Sequence, residues 1–223
     1  FNRVQVEIIR ALSPGRDVLH NFMTFFLDFD HHETMKDLDI ATWDSYPLGS
    51  LDVFPMPAER KAAFARTGDP DLQAFHHDLY RGAGRGRFWV MEQQPGPVNW
   101  ADYNPDAAPG LVRLWGLEGF AHGAETISYF RWRQAPFAQE QFHAGLNLPD
   151  GSPDRAYHEV KQLSADLAAL GTLGKAAPAR AALVFSYEAS WFLRVQPQGR
   201  NFSYVEQAFA MYRALRRLGL DID

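Results

Sequence analysis

The chain has no cysteine among its 223 residues, which excludes disulfides and thiolate metal sites and fits a reducing compartment. It also lacks any apolar run near the ~20 residues that cross a bilayer, so no membrane partner is expected. A surplus of positive charge is missing too. With 22 Lys and Arg against 27 Asp and Glu the net charge is -5, and the basic stripe of a nucleic-acid binder is absent. Arg81, Arg85 and Arg87 form the one basic cluster of note and read as a solvated loop. No initiator methionine or signal peptide opens the chain, and no repeat or low-complexity tract interrupts it. Phe1 leads straight into an amphipathic segment, and the last residues stop where a further strand is expected. The sequence therefore reads as the middle of a longer protein.

What is present is aromatic: 17 Phe and 6 Trp, suited either to a core of large side chains or to stacking on a flat ligand such as a sugar face. Spacing predicts a helix over 3–12, with Val4, Ile8 and Leu12 at i, i+4. Short buried strands are expected over 18–23, over 40–47 and at 88–92, with a fourth over 126–132. Helices are expected over 58–66, 70–81, 107–122 and 153–170, with Leu111, Leu114, Trp115 and Leu117 of the third and Tyr157, Val160, Leu163, Leu167 and Leu170 of the fourth facing inward. Strand and helix alternate, which is the βα pattern of a parallel sheet or barrel. The small, flexible run 171–178 is a candidate linker. Beyond it, 181–187 reads as a new strand, and a helix opened by Asn201-Phe202-Ser203 runs through Tyr204 to Leu218. The expected boundary puts one domain at 1–174 and the start of a second α/β domain at 175–223.

The most informative stretch is Phe88 to Trp100. An apolar run ends on a lone carboxylate, Glu92, and Pro95-Gly96-Pro97 at once forbid further strand or helix. Barrels present their reacting groups at the C-terminal ends of strands. Other strand ends supply Asn21, Asp44 with Tyr46, and Arg131 with Arg133, and the following loop adds Glu140 and His143. Two carboxylates, Glu92 and Glu140, near one ligand suggest glycoside chemistry, where nucleophile and acid lie ~5–5.5 Å apart in retaining enzymes. The competing reading pairs Glu92 with Arg131 or Arg133 in a purely structural ion pair. The histidine pairs His31-His32 and His76-His77 lack the i, i+4 spacing of a helical zinc motif, so no metal is expected. Gly82-Ala83-Gly84-Arg85-Gly86 precedes a strand and lacks the helix N-terminus of a phosphate cradle. Ser45 and Ser186 have no partner His in a recognisable spacing.

Several of these runs, taken in order, resemble the β-galactosidases of glycoside hydrolase family 42. They are Trp43-Asp44-Ser45-Tyr46-Pro47, Met91-Glu92-Gln93 with Pro95 and Asn99-Trp100, Leu114-Trp115 to Ala121-His122-Gly123-Ala124, and Phe130-Arg131-Trp132-Arg133-Gln134 through Glu140 to His143. The resemblance spans nearly the whole chain. It implies a TIM barrel, of which strands five to eight lie here, followed by the first βα unit of an amidotransferase-like trimerisation domain. It implies a retaining mechanism with Glu92 as nucleophile, Tyr46 beside it, Trp100 lining the galactose pocket, and Glu140 and His143 binding sugar hydroxyls. The family's acid/base glutamate, which follows an asparagine at the end of strand four, lies upstream of Phe1. The 223 residues alone are thus expected to be inactive. The remaining expectations are a β-galactoside substrate, no cofactor, a homotrimer in the full-length protein and a cytoplasmic setting. The alternatives are an α-L-arabinopyranosidase on the same barrel and a non-catalytic galactoside-binding fragment.

Overall fold

The computed structural model describes residues 1–174 and 178–223. Four strands lie side by side in one parallel sheet, in chain order: β1 (Leu19–Met23), β2 (Ile40–Ser45), β3 (Phe88–Gln93) and β4 (Thr126–Tyr129). Parallel neighbours need crossover connections, and helices supply them. These are α2 (His31–Met35) between β1 and β2, then α3 (Pro47–Val53), α4 (Ala58–Phe64) and α5 (Pro70–Ala83) between β2 and β3, and α6 (Leu111–Ala121) between β3 and β4. α1 (Asn2–Leu12) precedes the sheet and α7 (Arg155–Leu170) follows it, with α8 (Tyr187–Val195) and α9 (Tyr204–Arg217) near the end of the chain. The alternation predicted from sequence is the architecture found.

One face of the sheet is packed against the helices. Phe22, Ala41, Trp43, Phe88 and Val90 alternate along three strands and meet Met35, Tyr80 and Ala83 from the helices. This is the period of two that buries one side of a strand. Truncating an aromatic in such a layer costs ~3–5 kcal/mol.

α5 is buried on nearly every side, from Leu72 to Asp78 without a break, because it is sandwiched. Tyr80 and Ala83 face the sheet, while Leu72 and Phe75 pack with Phe54, Phe209 and Tyr212 in a second cluster that includes α9. Asp69 caps it by accepting from the Asp71 amide at 2.9 Å, and Pro70 takes the first helical position, where its missing N–H costs nothing.

Where the structure departs from the sequence reading, the reasons are physical. Pro47, placed at the end of the second expected strand, is the first residue of α3. α2 and α8 were not foreseen: each is short and opened by a cap, Asp30 for α2 and Ser186 for α8. The expected strand 181–187 is not found as a strand: among the described residues Ala181 forms an isolated bridge to Ile222, and Leu183 donates to the Asp223 carbonyl at 2.7 Å. Leu114 and Leu170, placed on inward faces, are exposed. In α1 only Val6 is buried, and the Val4, Ile8 and Leu12 stripe faces outward. Arg81 belongs to α5 rather than to a solvated loop and is bound to Asp78 and Asp223. Of the candidate linker, residues 175–177 lie outside the described part.

The His76-His77 pair has become core. The His76 Nδ1–H donates to the Leu72 carbonyl at 2.8 Å, and its Nε2 accepts from the Phe25 amide at 3.2 Å. Burial pushes its pKa down from 6.5 to about 4. A folded-state value below the unfolded one means that the unfolded chain binds the extra proton. Stability is then complete above pH ~6.5 and falls as pH drops toward ~4, by about 3 kcal/mol from this residue. Urea midpoints measured from pH 7.5 to 4.5 should decline, and His76→Gln should flatten the decline. Equal slopes for both proteins would contradict the assignment.

Candidate active site

Strict alternation would turn Glu92 toward the helices, on the same side as Phe88 and Val90. It does not point there, because β3 contains one extra residue. Trp43 pairs with Val90, but its successor Asp44 pairs with Glu92, so Met91 is passed over. The β3–β4 ladder shows the same irregularity between Val90 and Gln93. A bulge of this kind re-aims side chains and is common beside active sites. It sends Gln93 into the buried layer and puts Glu92 on the open face with Asp44.

Four side chains then converge. The Tyr46 hydroxyl donates to Glu92 Oε2 at 2.5 Å, a short, charge-assisted bond. Burial, then the bond to Glu92 and the charges of Glu92, Asp44 and Glu140, hold the tyrosine well above its ordinary pKa, so it stays a donor. Asn21 Nδ2 donates to Asp44 Oδ1 at 3.0 Å. Burial first, and the neighbouring Glu92 second, raise Asp44 to about 7.

The walls of the pocket are aromatic. The Tyr46 ring meets Trp100 and His143 edge-on, with centroids 5.5 Å and 5.6 Å away. His143 is buried, which lowers its pKa and favours the neutral ring. Trp100 is 45% exposed, an open aromatic face beside a buried polar cluster. Its loop is held from below, since Asp52 in α3 accepts from the Asp102 amide at 3.0 Å. Ala144 N–H donates to the Pro97 carbonyl at 2.9 Å, joining the loops after β3 and β4.

Glu140 is placed by its neighbours. Arg131 donates to its carbonyl at 2.6 Å and lies 3.6 Å from its carboxylate, and the His143 amide bonds the same carbonyl at 2.8 Å. These contacts hold a left-handed backbone (φ 59°) that costs a non-glycine residue ~1 kcal/mol or more. The structural ion pair that competed for Glu92 is not formed. Arg131 is committed to Glu140, and the bonded partner of Glu92 is Tyr46. Among the described residues no group of three or more His, Asp or Glu side chains could hold a metal ion.

Gly49 was missed in the sequence. A Cβ there would meet the Trp100 ring carbons at 2.4 to 3.0 Å, so the indole lies directly on the α3 backbone. The available signal was a glycine inside a helix, which costs ~1 kcal/mol against alanine and often marks a close approach. Gly49→Ala is expected to displace Trp100 while leaving stability unchanged or slightly higher. A crystal structure of the variant should show the indole moved off the α3 backbone, and an indole that stays in place would contradict the close approach.

Comparison with known proteins agrees with this geometry. A family model described as beta-galactosidase, of glycoside hydrolase family 42, matches residues 1–170, and one described as the beta-galactosidase trimerisation domain matches residues 179–223. A beta-galactosidase of Thermus thermophilus is 63% identical over the whole chain, which covers 34% of that protein. The crystal structure of a beta-galactosidase from the psychrophilic Marinomonas ef1 superposes on the whole chain with a TM-score of 0.92 at 52% identity, over 35% of its length. That of the haloarchaeon Halorubrum lacusprofundi does so with 0.94 at 41% identity, over 33%. The chain spans about a third of the length of these relatives. With a family model matching residues 1–170 and the parallel βα order shared with these structures, the chain belongs to glycoside hydrolase family 42.

Proposed function

We propose that these residues supply the nucleophile side of a retaining β-galactosidase of the relatives' full length. The observation that carries the reading is the 2.5 Å bond from Tyr46 to the carboxylate of Glu92, at a strand end walled by Trp100 and His143. A terminal β-galactoside enters with its anomeric carbon over Glu92. An oxygen of Glu92 attacks that carbon as the glycosidic bond breaks, giving a galactosyl-enzyme that water then opens. Tyr46 keeps the attacking carboxylate in one orientation, which counts because misplacement of about 1 Å costs ~10²-fold. Trp100 packs on the sugar, while Glu140 and His143 bond its hydroxyls.

The acid that protonates the leaving oxygen has no counterpart in the strands described above and comes from an earlier part of the barrel. Its contribution is ~10²–10⁴-fold, so residues 1–223 alone are expected to turn over no galactoside. A robust rate from them would contradict the assignment. The match of residues 179–223 to a trimerisation domain supports a homotrimer of the full-length protein. The lack of cysteine fits a cytoplasmic setting, which subcellular fractionation would test.

The deciding experiment compares 4-nitrophenyl β-D-galactopyranoside with the α-L-arabinopyranoside on the full-length protein. These sugars differ only at C5, and one such group is worth ~10–200-fold. The galactoside should be the faster by at least about tenfold. A preference for the arabinoside would reassign the substrate, and binding of galactose with no turnover of either would make the protein a sugar-binding module.

A further inference from the structure

Asp44 stands at the same rung of the sheet as Glu92, and the mechanism above gives it no part. Its surroundings can be named element by element. From β1 come Asn21, which donates to Oδ1, and Met23, its partner across the ladder. From β3 comes Glu92, and two residues further along β2 lies Tyr46. Thr24 donates its hydroxyl to the Asp44 carbonyl at 3.2 Å. Behind the sheet α5 brings His76, His77 and Tyr80, whose rings pack on Trp43. Glu140 and His143 come from the loop after β4, around Tyr46. No cation in this set is bonded to Asp44. Asp44 and Glu92 stand at one rung of the sheet, and Arg131, in the strand-end region after β4, is bound to Glu140.

We propose that Asp44 is a positioning residue for Glu92: held by Asn21, it gives up its proton to solvent as Glu92 spends its charge on the sugar, and so speeds formation of the glycosyl-enzyme. The inference rests on the role of Glu92 proposed above. The charge of Glu92 makes Asp44 hold its proton more tightly, and this coupling is reciprocal. In the transition state the Glu92 oxygen bonds to the anomeric carbon, the leaving oxygen departs with its electron pair, and the repulsion between the carboxylates is relieved. The ionised form of Asp44 therefore favours the transition state over the free enzyme. Each pKa unit of coupling is worth tenfold in rate.

The test uses a substrate that needs no acid, 2,4-dinitrophenyl β-D-galactopyranoside, with the full-length protein. Its kcat/KM should rise on the order of tenfold through the neutral range as Asp44 ionises. Asp44→Asn should be flat across that range, at the low-pH level of the parent, and Asp44→Glu should restore a rise. A purely structural role would lower the rate equally at every pH. The proposal is overturned if the parent shows no rise, or if Asp44→Asn keeps the parent's rise unchanged. Turnover with a flat profile overturns this inference alone, whereas no turnover by the parent at any pH overturns the galactosidase reading with it.

Discussion

Glu92→Gly in the full-length protein should lower galactoside turnover by on the order of 10⁴-fold or more, the scale seen when a residue that makes or breaks a covalent bond is removed. Nothing nearby can take over. Glu140 is turned toward Arg131, and Asp44 sits with Asn21, one strand away. The glycine leaves a hole beneath the anomeric carbon, walled by Tyr46. A small anion added at high concentration, such as azide, should fill it and attack from the same face. The product would be an α-galactosyl azide, inverted relative to the substrate. The protein should remain folded, because among the described residues the Glu92 side chain makes one hydrogen bond and no ion pair. Recovery of a β-galactosyl azide, or turnover within tenfold of the parent, would take the nucleophile away from Glu92.

The second large effect is on stability. Asp78 in α5 accepts from Tyr212 at 2.5 Å, from His122 Nδ1 at 2.6 Å and from Arg81 at 2.7 Å, with its side chain 8% exposed. Arg81 in turn donates to the Ile222 carbonyl and to Asp223, both at 2.7 Å. One carboxylate thus ties α5, the end of α6, and the final helix and tail together. Asp78→Ala leaves the buried Tyr212 phenol and the His122 ring without their acceptor and leaves Arg81 with Asp223 as its remaining carboxylate partner, a loss of ~3 kcal/mol. Thermal unfolding should begin roughly 10 °C earlier, at ~2–4 °C per kcal/mol for a domain of this size. Hydrogen exchange should show α9 losing protection before the sheet. Asp78→Asn, which keeps the shape and two acceptor sites, should fall between. An unchanged α9 in Asp78→Ala would mean that the apolar contacts of Phe75, Phe209 and Tyr212 hold that helix unaided.

Much of this was legible in the residues, and the exceptions share a cause. Glu92 stood out because Phe88 to Met91 are apolar and Pro95 to Pro97 forbid continuation, both local properties. Its aim was not legible. The hydrophobic pattern of β3 has no break at Met91, and a bulge is a relation between two strands that one strand's sequence does not record. The same holds for residues 181–187, whose composition suits a strand but which, among the described residues, pair through the isolated bridge of Ala181 to Ile222. Leu114 and Leu170 lie on expected helices, the first of which begins at Leu111 rather than at 107, yet periodicity names a face without saying what covers it. Tyr46, Trp100 and His143 share the pocket because two loops and α3 meet there. Gly49 under the indole shows that contact only in three dimensions.

The central claim is that Glu92 is the group that attacks the sugar, and covalent trapping tests it directly. The full-length protein is treated with 2,4-dinitrophenyl 2-deoxy-2-fluoro-β-D-galactopyranoside, whose fluorine slows hydrolysis of the intermediate, and digested for peptide mapping by mass spectrometry. The account predicts one fluorogalactosyl group, carried by the peptide containing Phe88 to Gln94 and located on Glu92. A label on Glu140 instead, or a fully active protein that never acquires one, would contradict it.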